Sequence, residues 1–407
     1  MGHHHKISAD QPDPSSSTAT TSQSSGSAPI TVDIHTHTYP PSYISLLTSR
    51  TKVPYIHQPS DGDPRLIILP SDDDPSKPPH LRGRPVDKSY SSWDEKLKFM
   101  RTHGISLSVV SLANPWLDFL PSETAADTAR QINDDLNAAC ESQNAKGDKH
   151  AQLYAFASLP LSAPTEQIVA EIRRLESLSC VKGIILGTTG LGAGLDDPFL
   201  AEIWTALEDT QTMIFLHPHY GLPDAAFGGP EVIARSGHVL PLALGFPLET
   251  TIAVARMFLA GVFDRHSRLR MLLAHSGGTL PFLAGRIQSC VEHEREFVAN
   301  GGDKQGPTRT VWDVLGTNIW LDAVIYGKAG LKAAVEAAGA VGQGIEGSER
   351  LMFGTDHPFF PPLKEKDGRW ASVDSNLAAI AGVAGAEEEV ARKILGGNAL
   401  RVLGIEI

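Results

Sequence analysis

Eight short apolar runs, most of them followed by a stretch with helical spacing, constrain this chain more than any other feature. The runs are Ile30–Ile34, Leu107–Leu112, Leu153–Leu159, Val181–Leu186, Met213–His217, Leu269–Ala274, Asn318–Ala323 and Arg350–Gly354. They are β-branched-rich and continuous rather than alternating, as parallel strands buried on both faces must be. Helical periodicity marks Ala125–Ala145, Thr165–Leu178, Pro198–Thr210, Pro247–Val262, Thr279–Phe297, Lys328–Ala338 and Ala386–Leu403. This alternation predicts an α/β fold, the (β/α)8 TIM barrel, over residues 30–407. One departure is an insertion after strand 1, residues 40–90, with eight prolines from Pro54 to Pro85. It is expected to cover part of the barrel mouth. Residues 1–29 are rich in Ser and Thr and poor in large apolar side chains, so a disordered N-terminal tail is expected.

Composition narrows the partners. The 407 residues carry 35 Lys and Arg against 47 Asp and Glu, a formal charge of −12. Nucleic acid and anionic membranes reward clustered basic residues, so neither is expected as a partner. Cys140, Cys180 and Cys290 are few, odd in number and far apart. That favours a reducing, cytoplasmic setting over a disulfide framework. The most apolar stretch, Leu240 to Phe263, contains Glu249 and Arg256, whereas a membrane span needs about 18 or more nearly uncharged residues. No apolar secretory signal opens the chain.

Barrel enzymes carry their chemistry at the C-terminal ends of the strands. The first strand ends Asp33-Ile34-His35-Thr36-His37, and positions i and i+2 of a strand point the same way. His35 and His37 are therefore expected to aim together into the mouth. The fifth run ends at His217-Pro218-His219, the sixth at His275-Ser276-Gly277-Gly278, and the eighth at Gly354-Thr355-Asp356-His357-Pro358. Core positions have no reason to collect imidazoles, because burying polar groups is costly. Several imidazoles and a carboxylate instead suit Zn²⁺, with Mn²⁺ possible, and can leave a position open for substrate.

These residues resemble the amidohydrolase superfamily, in the branch of decarboxylases related to aminocarboxymuconate-semialdehyde decarboxylase. Longer stretches resemble the fungal isoorotate (uracil-5-carboxylate) decarboxylases as a group: HTHTYPPSYI from His35, SLANPW from Ser111, GIILGTTGLG from Gly183, FLHPHYGLP from Phe215, LLAHSGGTLPFLAGRI from Leu272 and LMFGTDHPFFPP from Leu351. The resemblance covers about residues 30 to 403. It implies His35, His37, His217 and Asp356 as metal ligands, with His275 beside them as a catalytic partner. Binuclear relatives bridge two metals with a lysine at the end of strand four. Lys182 stands at the start of that strand, so a single metal is expected.

The implied activity is non-oxidative decarboxylation of isoorotate to uracil and CO2, in pyrimidine (thymine) salvage. Asp356 would deliver the proton that replaces CO2. Arg84, Asn114, His219 and Phe359 are the expected contacts to a small carboxylated pyrimidine or aromatic substrate. Arg286 matches an arginine that enters a neighbouring subunit's site, which together with the apolar Gly237–Met257 stretch implies a homodimer or homotetramer. A resorcylate- or aminocarboxymuconate-type acid as substrate, or a metal-dependent hydrolase, stays open, because the metal set alone does not separate them.

Overall fold

The continuous apolar runs pair side by side in chain order. The computed structural model describes residues 30–78, 82–299, 306–339, 346–362 and 368–407; the tail expected over 1–29 lies outside them. Eight parallel strands hydrogen-bond in sequence order: Val32–Thr38, Leu107–Leu112, Gln152–Ser158, Val181–Gly187, Met213–His217, Arg270–Leu273, Ile319–Asp322 and Leu351–Met352. Helices surround them as a TIM barrel requires.

The seam between the eighth strand and the first is the least regular part of the wall. The eighth strand pairs over only Leu351–Met352, then leaves the ladder to bond elsewhere. Phe353 N donates to Ile394 O (2.8 Å), Asp356 N to His35 O (2.7 Å), and His37 N to His357 O (2.7 Å). Thr36 and His357 form an isolated parallel bridge. Close approach here requires a glycine at 354, where a Cβ would lie 2.7 Å from His35 Cβ.

The first strand runs to Thr38 and carries both His35 and His37, as expected, its polar residues buried as completely as its apolar ones. The structure departs from the sequence reading among the helices. The helix expected over Ala386–Leu403 is interrupted by a wider turn at Lys393–Gly397. Helices at Pro41–Ser49, Trp93–His103 and Ala371–Ala384 were not foreseen. The second of these starts at Ser92, whose Oγ accepts from Glu95 N, and stops at Gly104 with φ 66°.

The insertion folds as a three-stranded antiparallel sheet of Tyr55–His57, Arg65–Ile67 and Arg84–Pro85. Its last strand brings Arg84 to the barrel mouth. Pro241–Leu259 is a helical stretch long and apolar enough to cross a membrane by length and composition. Its two charged residues are tied to the barrel loops. Glu249 accepts from His219 N and Gly221 N, and Arg256 pairs with Asp196.

Candidate metal centre

Strand alternation places His35 and His37 two residues apart on the first strand, and the barrel brings His217 and Asp356 to meet them. One ligand atom from each lies within 4.8 Å of every other, and all four residues are buried. Each histidine has its Nδ1 engaged away from this centre. His35 Nδ1 donates to Asp322 Oδ2 (2.6 Å), His37 Nδ1 to Ser111 Oγ (3.0 Å), and His217 Nδ1 to Pro218 O (2.7 Å). That leaves Nε2 of all three turned to one point with Asp356 Oδ1, which is 3.2 Å from His35 Nε2 and 3.4 Å from His37 Nε2. Nε2 of His35 and of His217 is buried with no hydrogen bond. Orphaned imidazole nitrogens converging on a carboxylate fit a divalent cation, and the tethered Nδ1 atoms fix the tautomer that ligation needs.

Electrostatics in the metal-free arrangement follow from crowding. Burial disfavours a charged His35, but Asp356 and Asp322 outweigh it and push the imidazole up to about 10. Burial pushes His37 down to about 4 and His217 well below the usual range. Burial alone would raise Asp356; the His35 charge and the close approach of His275, His35 and His37 overcome it and hold the carboxyl well below the usual carboxylate range.

Asp322 ends the seventh strand and does more than orient His35. Its carboxylate also accepts from His275 N (3.0 Å), Ser276 N (2.7 Å) and Val324 N (3.0 Å). These bonds hold His275 at φ 53°, a backbone region that is costly for a side-chain-bearing residue. His275 Nε2 lies 3.6 Å from Asp356 Oδ2, and its ring centroid is about 5 Å from His35 and His217 (5.2 and 5.1 Å).

A cavity of about 430 Å³ opens over the centre, lined by His37, His217, His275 and Asp356 among others. Arg84, Asn114 and Phe359 line it as well. Arg84 Nη2 donates to Tyr39 Oη (2.7 Å), Asn114 O (2.6 Å) and Asn114 Oδ1 (2.9 Å), all neutral oxygens. Two expected contacts do not reach the cavity. His219 was expected to share a face with His217, but the strand ends at His217 and Pro218 cannot continue the ladder. The His219 ring turns away: Nδ1 donates to Thr189 O (2.9 Å) and Nε2 accepts from Trp116 N (3.4 Å). Its carbonyl instead holds the Asn114 amide at 3.0 Å. Arg286 is exposed on the helix Leu280–Ala299 and does not line this chain's cavity.

Sequence reasoning missed Tyr90, Tyr326 and His238, which line the cavity, and no spacing marked them. Lys182 sits in the fourth strand with Nζ over the Tyr154 ring at 5.1 Å, outside the group of metal-capable side chains.

The amidohydrolase family model matches residues 32–405. The crystal structure of Metarhizium anisopliae IDCase in apo form superposes with a TM-score of 0.83 at 51% identity, covering 93% of this chain and 98% of that one. Dictyostelium discoideum 2-amino-3-carboxymuconate-6-semialdehyde decarboxylase is 27% identical over 79% of each chain. Rhizobium gamma-resorcylate decarboxylase is 28% identical over 65% of this chain and 76% of its own.

Proposed function

Because the chain belongs to the amidohydrolase family, we propose that it removes the carboxylate of isoorotate as CO2, leaves uracil, and uses one divalent ion to do so. The observation that carries this reading is the 51% identity to IDCase, an isoorotate decarboxylase, over 93% of the chain. His35, His37, His217 and Asp356 would hold the ion, which we take to be Zn²⁺, with Mn²⁺ the alternative for such a donor set. Bound there, a divalent ion supplies Lewis-acid polarisation of the substrate carboxylate and the neighbouring ring carbonyl.

The chain's own side chains do the rest. Arg84 has no carboxylate among its hydrogen-bond partners, so it offers its charge to an electron-rich substrate. Phe359 offers a ring face for stacking. In the reaction a proton reaches C5 while the ring N1 lone pair feeds through C6; the C5–carboxylate bond then breaks, its electron pair re-forms the C5–C6 double bond, the pair returns to N1, and CO2 leaves. Asp356 is the acid we assign. It is ionised at rest, so the proton must first be handed to it, and His275 at 3.6 Å is placed to do that.

The test is a panel of carboxylated pyrimidines and phenols, read by CO2 release and ultraviolet absorbance, with elemental analysis of the same sample. Uracil from isoorotate, with about one divalent ion per chain, is expected. Turnover of γ-resorcylate alone would move the substrate to the phenolic acids. Water consumption without CO2 would make the protein a hydrolase.

A homodimer or homotetramer belongs to the same proposal. Val239, Leu244, Ile252 and Leu259 are exposed apolar side chains along one stretch, and Phe282 is exposed on the helix that carries Arg286. Light scattering at micromolar concentration should give two or four chain masses. A monomer would remove Arg286 from any partner's site.

A further inference from the structure

One buried cation has no part in the chemistry above. Lys96, on the helix Trp93–His103, is 1% exposed, and it is not among the residues lining the cavity. Its ammonium has three hydrogens and three acceptors: Thr36 Oγ1 at 2.6 Å, His37 O at 3.1 Å and His357 Nδ1 at 2.6 Å. The first two belong to the first strand. The third belongs to the segment that follows the eighth.

These acceptors therefore lie on both sides of the barrel seam, and each is a ligand candidate or adjoins one. Thr36 stands between His35 and His37, and His357 follows Asp356. The seam needs a fastener there. Its regular ladder has ended, and Asp356 holds φ 59°, a conformation that persists only where the surroundings over-determine it. The His357 ring is fixed from its other side by Phe99 at 3.8 Å and Trp370 at 4.7 Å between centroids. A lysine buried against strands of a closed barrel is costly unless all its donors are met, and here they are met only if both sides of the seam stay in place.

We propose that Lys96 is a positioning residue that holds His37 and Asp356 in register across the seam, so that the two can share one ion. The proposal rests on the metal-site reading above. It assigns a role to a side chain that touches neither ion nor substrate.

The test is metal affinity of the full chain, measured with Zn²⁺ and Co²⁺ against a chelator, beside the Co²⁺ visible spectrum and thermal unfolding of the metal-free protein. Lys96→Met is expected to weaken affinity roughly 10–100-fold, the range for removing a group that orients a ligand. Its Co²⁺ spectrum should change in shape, and turnover should stay reduced after metal saturation. Thr36→Val keeps the shape but removes both the Lys96 acceptor and the bond that Thr36 Oγ1 donates to His357 O (3.2 Å), and it should act in the same direction. Lys96→Arg should restore part of the affinity. If Lys96→Met does not fold, the Thr36→Val result decides. Wild-type affinity and an unchanged Co²⁺ spectrum in the folded variants, with only a lower melting temperature, would overturn the proposal and leave the metal site standing. A wild-type chain that binds neither ion would sink both.

Discussion

Asp356→Asn protein, reconstituted with excess Zn²⁺, is expected to bind isoorotate and release uracil at least about 100-fold more slowly than wild type, the lower bound for general acid work. The amide keeps an oxygen that can face the ion, so part of the ligation survives. It has no acidic proton near neutral pH, so the transfer to C5 does not. The structure sharpens the comparison, because Asp356 sits between His35 and His275, at 3.2 and 3.6 Å, and its protonation state is set by both. Slow turnover with full metal content assigns the proton to Asp356. Turnover near the wild-type rate after reconstitution would move the proton source to His275 and reduce Asp356 to a ligand.

Metal affinity is expected to rise steeply with pH, roughly tenfold per unit between about pH 7 and pH 10, and then to level off. The sign follows from His35. Between Asp322 and Asp356 its imidazole is pushed up to about 10 in the metal-free chain, so below that pH a proton must leave before Nε2 can take an ion. His37 and His217 are already neutral, held down by burial, and add no slope in that range. Three ordinary histidines would show no slope above their usual titration range near 6.5. Calorimetry in two buffers of different ionisation enthalpy should therefore count about one proton released per ion at pH 7.5. A count of zero would mean that His35 is neutral before binding. The expectation for Asp322→Asn is a smaller count, because one of the two carboxylates that hold the proton is gone.

The metal group was legible because a strand's two-residue repeat turns H-x-H into a shared direction, and barrel geometry gathers strand ends. The same rule failed at His219, where the strand had stopped at His217. Asp322 could be seen in sequence but not interpreted, since its main partner, His35, is 287 residues away. Lys96 was hidden more thoroughly. In Trp93-Asp94-Glu95-Lys96-Leu97-Lys98 it resembles any charge on a solvated helix, and only tertiary packing makes it a buried donor. His238 lines the cavity from a connecting segment, where no periodicity marks which side chains face inward. The eight strands were found because burial on both faces leaves a compositional trace. Among the unforeseen helices, Trp93–His103 carried flanking signals in Ser92, Glu95 and Gly104, but it and Pro41–Ser49 lie at the two edges of an insertion whose prolines obscure the strand–helix count.

The seam also has a consequence for how the protein is made. His35 and His37 are synthesised long before Asp356, and Asp33 and Thr355, which bond across the seam, are 322 positions apart. A nascent chain thus carries two imidazoles for hundreds of residues before their carboxylate exists. Contacts of such long range form late and slowly in folding. Since ion binding draws only on the closed barrel, the free energy of loading is delivered at the last step of assembly, as a latch on the finished ring. An unfinished or C-terminally clipped chain lacks the fourth donor. It should neither retain the ion tightly nor gain its protection, which would leave it open to proteolysis while complete chains persist.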